Sequence, residues 1–136
     1  MIIGVFGCTR VDELVRMSIE DIEEQGRLLY INIPETKTGF GRAFTICDLE
    51  YIDLIQRYIK LRPNNMPNKR FFIRYENGKC VRQVVGHHTL SSVPRKIAEF
   101  LKLPDVELYT GTYLNFLCNK ILLVDGVIYK IILIRP

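Results

Sequence analysis

An alternating apolar pattern at residues 28–33, followed by a turn-rich stretch, limits this part of the chain to a β-hairpin. Leu29, Ile31 and Ile33 fall on one face of an extended strand, because side chains in a strand alternate between its two faces. Residues 34–42 are rich in turn formers, and residues 43–46 return as a second strand. The pattern therefore predicts an antiparallel hairpin with Lys37 and Gly39 near its tip.

Helices are predicted on both sides of this hairpin. Residues 12–17 have helical character with acids in the first turn, and Asp48 is a suitable N-cap for a helix over residues 49–61. A further helix is predicted over residues 92–103. The apolar stripe of the 49–61 helix is Ile52, Ile55, Tyr58 and Ile59, and the residues predicted to face inward from the 92–103 helix are Val93, Ile97, Phe100 and Leu101.

Shorter signals complete the prediction. Gly26 allows a turn, residues 71–75 form a short strand, and Asn77-Gly78 is a tight turn. The fold class predicted from these elements is α+β, mostly α, with a small antiparallel sheet that carries the Lys37 hairpin.

Composition narrows the class of protein. A chain of 136 residues suits one domain, and its net charge of +4 is a mild excess that is compatible with a polyanionic partner. The four cysteines form no C-x-x-C pair, so we expect no metal site and read them as reduced thiols of an intracellular protein. The His87-His88 pair reads as part of a loop or a helix start.

The C-terminal run over residues 121–134 is strongly apolar, but Asp125, Gly126 and Lys130 interrupt it. It is shorter than the roughly 20 residues that a membrane span needs. We expect a core segment or an adhesive tail rather than a membrane anchor, with an interfacial segment as the alternative.

Arg10 and Lys37 are the candidate functional cations. A guanidinium can hold two phosphate oxygens through paired hydrogen bonds, and Glu13 lies on the same helical face as Arg10. A lysine at a hairpin tip can neutralise a phosphate or protonate a leaving oxygen. Taken singly, Arg10 and Lys37 can each also be interpreted as ordinary solvated cations. Arg16 and Arg42 could add contacts to a nucleic-acid backbone, and the same alternative interpretation applies to them.

Taken together, these segments resemble the catalytic domain of tyrosine recombinases, the phage-integrase family. The matching segments are Phe6-Gly7-Cys8-Thr9-Arg10-Val11-Asp12-Glu13-Leu14, Asp21-Ile22 and Ile33-Pro34-Glu35-Thr36-Lys37-Thr38-Gly39. Residues 71–75, 96–104 and 108–111 are similar to recombinase-derived proteins of eukaryotic mobile elements. The resemblance covers about residues 4–111.

The resemblance implies a role for each matching residue. Arg10 would bind the scissile phosphate, Lys37 would act as general acid to the leaving 5′ oxygen, and Glu13 would support the arginine. The family cuts DNA by tyrosine attack and rejoins it without a metal or other cofactor. The implied partner is double-stranded DNA, the implied process is DNA recombination or integration, and the implied location is the nucleus if the source is eukaryotic.

The chain also departs from the family pattern. Thr112 and Asn115 stand where a His-x-x-Arg motif is expected, and neither can carry a fixed positive charge. Neither Tyr113 nor Tyr129 lies in a matching context, so no nucleophile is assigned. We expect a truncated, inactive catalytic domain over residues 1–111, without the family's N-terminal core-binding domain, and a divergent apolar tail over residues 112–136.

Three other interpretations stay open. The chain could be a non-catalytic protein-interaction module that uses a recombinase-like fold, docking on itself or on a full-length relative through its apolar tail. It could be an active strand transferase with relocated residues or a partner-supplied tyrosine. The segment after Gly111 could also be read-through of non-coding sequence.

Overall fold

The computed structural model describes residues 1–34 and 39–110, and the chain divides into two compact units. One unit comprises Met1–Leu14 and His87–Pro136, and the other comprises Val15–Gly86. Across the described residues there are four α-helices and two small antiparallel sheets, where the sequence predicted one sheet. The α+β class is therefore confirmed.

The elements follow one another along the chain with short connections. The helices are α1 (Ile2–Phe6), α2 (Val11–Arg16), α3 (Leu49–Lys60) and α4 (His87–Phe100), and two short 3-10 helices cover Ile19–Asp21 and Val106–Leu108. The strands are β1 (Ile22–Gln25), β2 (Leu28–Ile33), β3 (Arg42–Ile46), β4 (Ile73–Glu76) and β5 (Lys79–Val84).

Strands β1, β2 and β3 form one antiparallel sheet in chain order. Leu29, Ile31 and Ile33 are all buried, as the alternation predicts, and Leu29 lies opposite the buried Ile46 of β3. The two predicted strands of the hairpin are thus confirmed. Lys37, predicted near its tip, lies outside the described residues.

Strand β1 was not predicted. Three of its four residues are exposed, so the strand has no apolar alternation that the sequence could reveal. It pairs with β2 through a two-residue connection in which Gly26 adopts a φ of +65°, a conformation that glycine tolerates without a side-chain clash. The predicted turn at Gly26 therefore joins two strands.

Helix α3 agrees closely with the sequence. The Asp48 carboxylate accepts hydrogen bonds from the backbone N–H groups of Glu50 at 2.9 Å and Tyr51 at 3.4 Å, so Asp48 is the predicted N-cap. Ile52 and Ile55 are buried with Tyr51 on the face turned away from solvent.

The second sheet is the β4–β5 hairpin, whose turn is the predicted Asn77-Gly78 pair. Both turn residues have positive φ angles, +50° and +80°, as a tight two-residue hairpin turn requires. The Tyr58 hydroxyl of α3 accepts a hydrogen bond from the Ile73 N–H at 2.8 Å and donates one to the Ile73 carbonyl at 2.9 Å. Tyr58 therefore fastens the end of α3 to the first residue of β4.

Helix α4 begins earlier than the sequence predicted, at His87 rather than Ser92. The Ser91 and Ser92 hydroxyls each donate at 2.9 Å to the carbonyl three residues before them, instead of capping a helix start. Serine side chains that bond back to the preceding turn occur within helices, so the helix continues through Ser92.

Phe100 was wrongly predicted to face inward from α4. Its relative exposure is 66%, whereas Pro94 and Ala98 are buried. Each helical residue turns the chain by 100°, so Phe100 lies about 200° around the helix from Ala98. The predicted Val93, Ile97 and Leu101 are partly buried and flank the buried stripe.

Candidate nucleic-acid interface

Arg10 is the N-cap residue of α2. Its carbonyl accepts the first helical hydrogen bond from the Leu14 N–H at 3.0 Å. The Oε2 atom of Glu13, at the third position of the helix, accepts a hydrogen bond from the Arg10 backbone N–H at 2.8 Å. This return contact is one half of a capping box, and it fixes the main chain from which the guanidinium projects.

The turn that leads into Arg10 is also held by the main chain. Cys8 has a φ of +43°, which is uncommon for a residue with a Cβ, and the Thr9 N–H donates to the Gly4 carbonyl at 3.1 Å. Thr9 is fully buried and Arg10 is exposed. The turn therefore packs one side chain inward and sends the next one out to solvent.

The guanidinium of Arg10 is available to a ligand. Across residues 1–34 and 39–110 its side chain makes no recorded hydrogen bond or ion pair. Glu13 is buried at 6% exposure, and the contact recorded between the two residues runs through the Arg10 main chain. The implied support of the Arg10 guanidinium by Glu13 thus stays a prediction, although Glu13 does position the arginine's backbone.

Lys37 belongs by sequence to the connection between β2 and β3. The flanking strands are paired as far as Ile33 opposite Arg42. Beside Arg42, a Cβ added at Gly41 would lie 3.0 Å from the Pro34 carbonyl oxygen, so this close approach of the two chain segments favours glycine. Arg42 and Arg16 are both exposed, at the start of β3 and the end of α2 respectively.

The roles that the resemblance implies for Arg10 and Lys37 concern the same scissile phosphate, which predicts one shared anion pocket. Arg10 belongs to the unit that contains Met1–Leu14, whereas Arg16, Lys37 and Arg42 belong to the unit Val15–Gly86. The shared pocket therefore stays a prediction.

His87 occupies the first turn of α4, which agrees with one of the two readings of the His87-His88 pair. Its Nε2 atom lies 3.3 Å from an Asp12 carboxylate oxygen. The His87 side chain is 59% exposed and the Asp12 side chain is 50% exposed. Within the part of the chain that the structure describes, no group of three or more His, Cys, Asp or Glu residues could hold a metal ion. His87 and Asp12 therefore form a surface contact between the first turns of α4 and α2.

Tyr58 illustrates why a tyrosine alone does not indicate a nucleophile. Its hydroxyl both accepts from and donates to the Ile73 backbone, and burial is the largest cause of a pKa raised above its usual range. The Tyr58 side chain therefore has a structural role, because it joins α3 to β4. The C-terminal tyrosines Tyr113 and Tyr129 lie outside the described residues, as do Thr112 and Asn115.

The structure also reveals cations that the sequence analysis did not select. Arg62, Arg70 and Arg82, hereafter the arginine cluster, are linked through the connection between α3 and β4. Arg62 donates to the Arg70 carbonyl at 2.8 Å, and Arg82 donates to the Asn64 carbonyl at 3.4 Å. The signal that could have identified them is the local density of basic residues, which the net charge of the whole chain hides.

Comparison with known proteins gives no family assignment. No known family model matches the chain, and no curated protein matches it. In the described ranges, none of the helices combines the length and the apolar character needed to cross a membrane. Function is therefore inferred from the motifs and from the geometry of the described residues.

Proposed function

We propose that this chain is a double-stranded-DNA-binding domain of the tyrosine-recombinase type that does not complete strand transfer. The observation that carries the proposal is Arg10, an exposed guanidinium at the N-cap of α2 whose main chain is held by the buried Glu13 carboxylate. An arginine keeps its charge at any physiological pH and fits two phosphate oxygens at once. A cation with a fixed main chain and, across the described ranges, no partner for its head group suits a phosphate ligand.

The β2–β3 hairpin supports the second half of the proposal. The arginine-bearing helix start comes first in the chain and the hairpin with Lys37 in its connection follows, in the order that the motif resemblance requires. Lys37 would neutralise a backbone phosphate, and in an active relative the corresponding lysine would protonate the leaving oxygen. Arg16 and Arg42 would add contacts to neighbouring phosphates.

The absence of turnover is inferred from the sequence after Gly111. Thr112 and Asn115 replace two residues that would stabilise charge on the phosphate in the transition state. Losing one such donor raises the barrier by about 3–4 kcal/mol, and two losses cost more. Phosphate binding in the ground state needs fewer contacts, so we expect binding without cleavage.

A nicked suicide duplex tests both parts of the proposal in one sample. Fluorescence anisotropy reports binding, and a denaturing gel reports any covalent protein–DNA adduct. We expect an anisotropy increase that Arg10→Gln reduces by about three- to tenfold in affinity, and no adduct. Arg95→Gln is the matched control, because it removes an exposed arginine already paired with Glu99 at 3.0 Å. A covalent adduct would end the claim of inactivity, and no binding at low salt would end the claim of DNA binding.

A second candidate function is a self-association module. Phe100 of α4 and Leu108 of the following 3-10 helix are 66% and 63% exposed, and these two elements contact each other. Large apolar side chains left in solvent mark contact surfaces when they are contiguous. Light scattering after size-exclusion chromatography decides this case: a dimer that Phe100→Ser converts to a monomer supports it, whereas a monomeric wild-type chain at high concentration rejects it.

A further inference from the structure

The region with the highest positive charge density is residues 57–82, which the proposed DNA contacts do not use. It contains eight basic residues and one acidic residue, Glu76. The basic residues are Arg57, Lys60, Arg62, Lys69, Arg70, Arg74, Lys79 and Arg82. The segment carries a net charge of +7 and the whole chain only +4, so the rest of the chain is net negative.

Hydrogen bonds and a ring contact fasten residues 57–82 to neighbouring elements. Tyr58 bonds both backbone groups of Ile73, and the Tyr58 ring lies against Phe71 with centroids 5.3 Å apart. The Phe71 N–H donates to the Met17 carbonyl at 2.7 Å, and the Ile19 N–H donates to the Lys69 carbonyl at 2.9 Å. The connection between α3 and β4 is therefore fastened to both α3 and the segment that precedes β1.

Three of the eight basic residues have carboxylate partners. Arg57 pairs with Asp53 at 2.6 Å, Lys69 with Glu20 at 2.5 Å, and Arg74 with Glu76 at 2.5 Å. Each of these contacts balances one positive charge. The other five have no recorded carboxylate partner within residues 1–34 and 39–110.

Arg62 and Arg82 are held by backbone carbonyls instead of by acids. Arg62 donates to the carbonyls of Arg70 and Asn68, and Arg82 donates to the carbonyl of Asn64. All three carbonyls belong to the connection between α3 and β4. A carbonyl orients a guanidinium without cancelling its charge, so both arginines keep a full positive charge in a set position.

The connection itself limits the motion of these groups. Pro63 and Pro67 each fix one backbone angle, and the Arg70 N–H donates to the Asn68 side-chain oxygen at 2.8 Å. The Arg70 backbone also pairs with Ser18 in an isolated β-bridge. Cations whose backbone is already ordered lose less conformational entropy when a ligand binds.

From these contacts we propose that the arginine cluster is a second phosphate-contacting surface that binds the backbone of double-stranded DNA. The inference rests on the proposed function. Arginine forms paired hydrogen bonds with phosphate oxygens, and a phosphate-bound cation releases condensed counterions into solution. The surface would add affinity without reading sequence, because phosphates are the same along any duplex.

The test compares two double variants that remove the same number of charges. Arg70→Gln/Arg82→Gln removes two members of the arginine cluster, and Arg57→Gln/Arg95→Gln removes two arginines that already have carboxylate partners. Arg62 is left intact because its guanidinium bonds two carbonyls of the connection. Affinity for a labelled duplex of mixed sequence is measured by anisotropy between about 50 and 200 mM salt.

We expect the cluster variant to bind about ten- to hundredfold more weakly and to lower the slope of log affinity against log salt by about 2. The control variant should change affinity by less than about threefold, and Arg82→Lys should retain most of the wild-type affinity because it keeps the charge. Thermal unfolding checks that each variant is folded. If the cluster double variant does not fold, Arg82→Gln alone carries the test, with an expected slope change of about 1.

The outcomes separate the inference from the function on which it rests. Wild-type protein that binds no duplex at low salt overturns the proposed function. Wild-type binding with equal losses in the cluster and control variants overturns the arginine cluster alone. If polyglutamate competes for the surface as well as unlabelled duplex does, the partner is an acidic protein segment and the assignment to DNA is wrong.

Discussion

Arg10 and the arginine cluster hold positive charge in two different ways. At Arg10, a buried carboxylate bonds the main chain and leaves one guanidinium exposed. In the arginine cluster, neutral carbonyls bond the guanidinium groups of Arg62 and Arg82 themselves. The first arrangement fixes the main chain from which an exposed head group projects, and the second orients two of the charged head groups.

This difference suggests that Arg10 and the arginine cluster would suit different kinds of phosphate contact. An exposed head group on a fixed main chain can adjust to a phosphate whose geometry changes during a reaction, which agrees with the role that the resemblance implies for Arg10. Fixed head groups suit a ligand of constant geometry, such as an unreacting stretch of duplex backbone. Each support can be removed separately by a single substitution.

The largest effect is expected from Tyr58→Phe, which removes support from the region of the arginine cluster. The variant leaves the Ile73 N–H and carbonyl without their hydroxyl partner, and an unsatisfied, partly buried polar group costs about 1–3 kcal/mol. We expect about 2 kcal/mol less free energy of unfolding in urea titrations. A loss below the error of the titration would show that this contact does not hold α3 to β4.

A somewhat smaller effect is expected from Glu13→Ala, which removes the support of Arg10. The Arg10 N–H loses its acceptor and the start of α2 loses half of its capping box, at a cost of about 1–2 kcal/mol. Glu13→Gln is the matched control, because its amide oxygen can still accept the bond and should recover most of the stability. Equal losses for both variants would indicate that the charge of Glu13, and not its acceptor atom, stabilises the turn.

Tyr58 is expected to contribute a pH dependence of its own to the stability. Burial raises the folded-state pKa of Tyr58, so the stabilisation it provides is complete below the unfolded pKa near 10 and is lost as pH rises through the folded value. The difference in urea midpoint between wild type and Tyr58→Phe should therefore narrow at strongly alkaline pH. A difference that stays constant into that range would contradict the assigned hydrogen bonds.

The smallest stability effects are expected from the arginines themselves. Arg10→Gln and Arg82→Gln should each change the free energy of unfolding by less than about 0.5 kcal/mol, because both side chains are exposed. Each should nevertheless lower duplex affinity by about three- to tenfold, and the two losses should add in the double variant. Strong non-additivity in a double-mutant cycle would show that the two arginines do not act as independent phosphate contacts.

Local periodicity and cap chemistry were enough to predict several elements. β2, the start of α3 at Asp48 and the turn at Asn77-Gly78 are each specified by neighbouring residues, and the structure confirms all three. β1 escaped prediction because an exposed edge strand has no apolar alternation. The prediction began α4 at residue 92, but the helix already begins at His87 and the Ser92 hydroxyl bonds back to the Thr89 carbonyl within it.

Less of the candidate site than of the fold could be predicted from the sequence. Arg10 stood out through its motif, but the main-chain contact of Glu13 depends on the capping geometry of α2. The arginine cluster was missed because charge was averaged over the whole chain. Arg62 and Arg82 are distinguished by their acceptors, which are carbonyls of one connection rather than carboxylates, and such contacts cannot be derived from spacing.

The most direct test of the central claim is the salt dependence of wild-type binding to a duplex of mixed sequence. The proposed contacts of Arg10, Arg16, Lys37, Arg42 and the three members of the arginine cluster would together neutralise about seven phosphates, which predicts a log–log slope of roughly −6. A linear decrease of log affinity with that slope would support a domain that binds the DNA backbone through these cations. No binding at about 50 mM salt, or an affinity that does not change with salt, would contradict it.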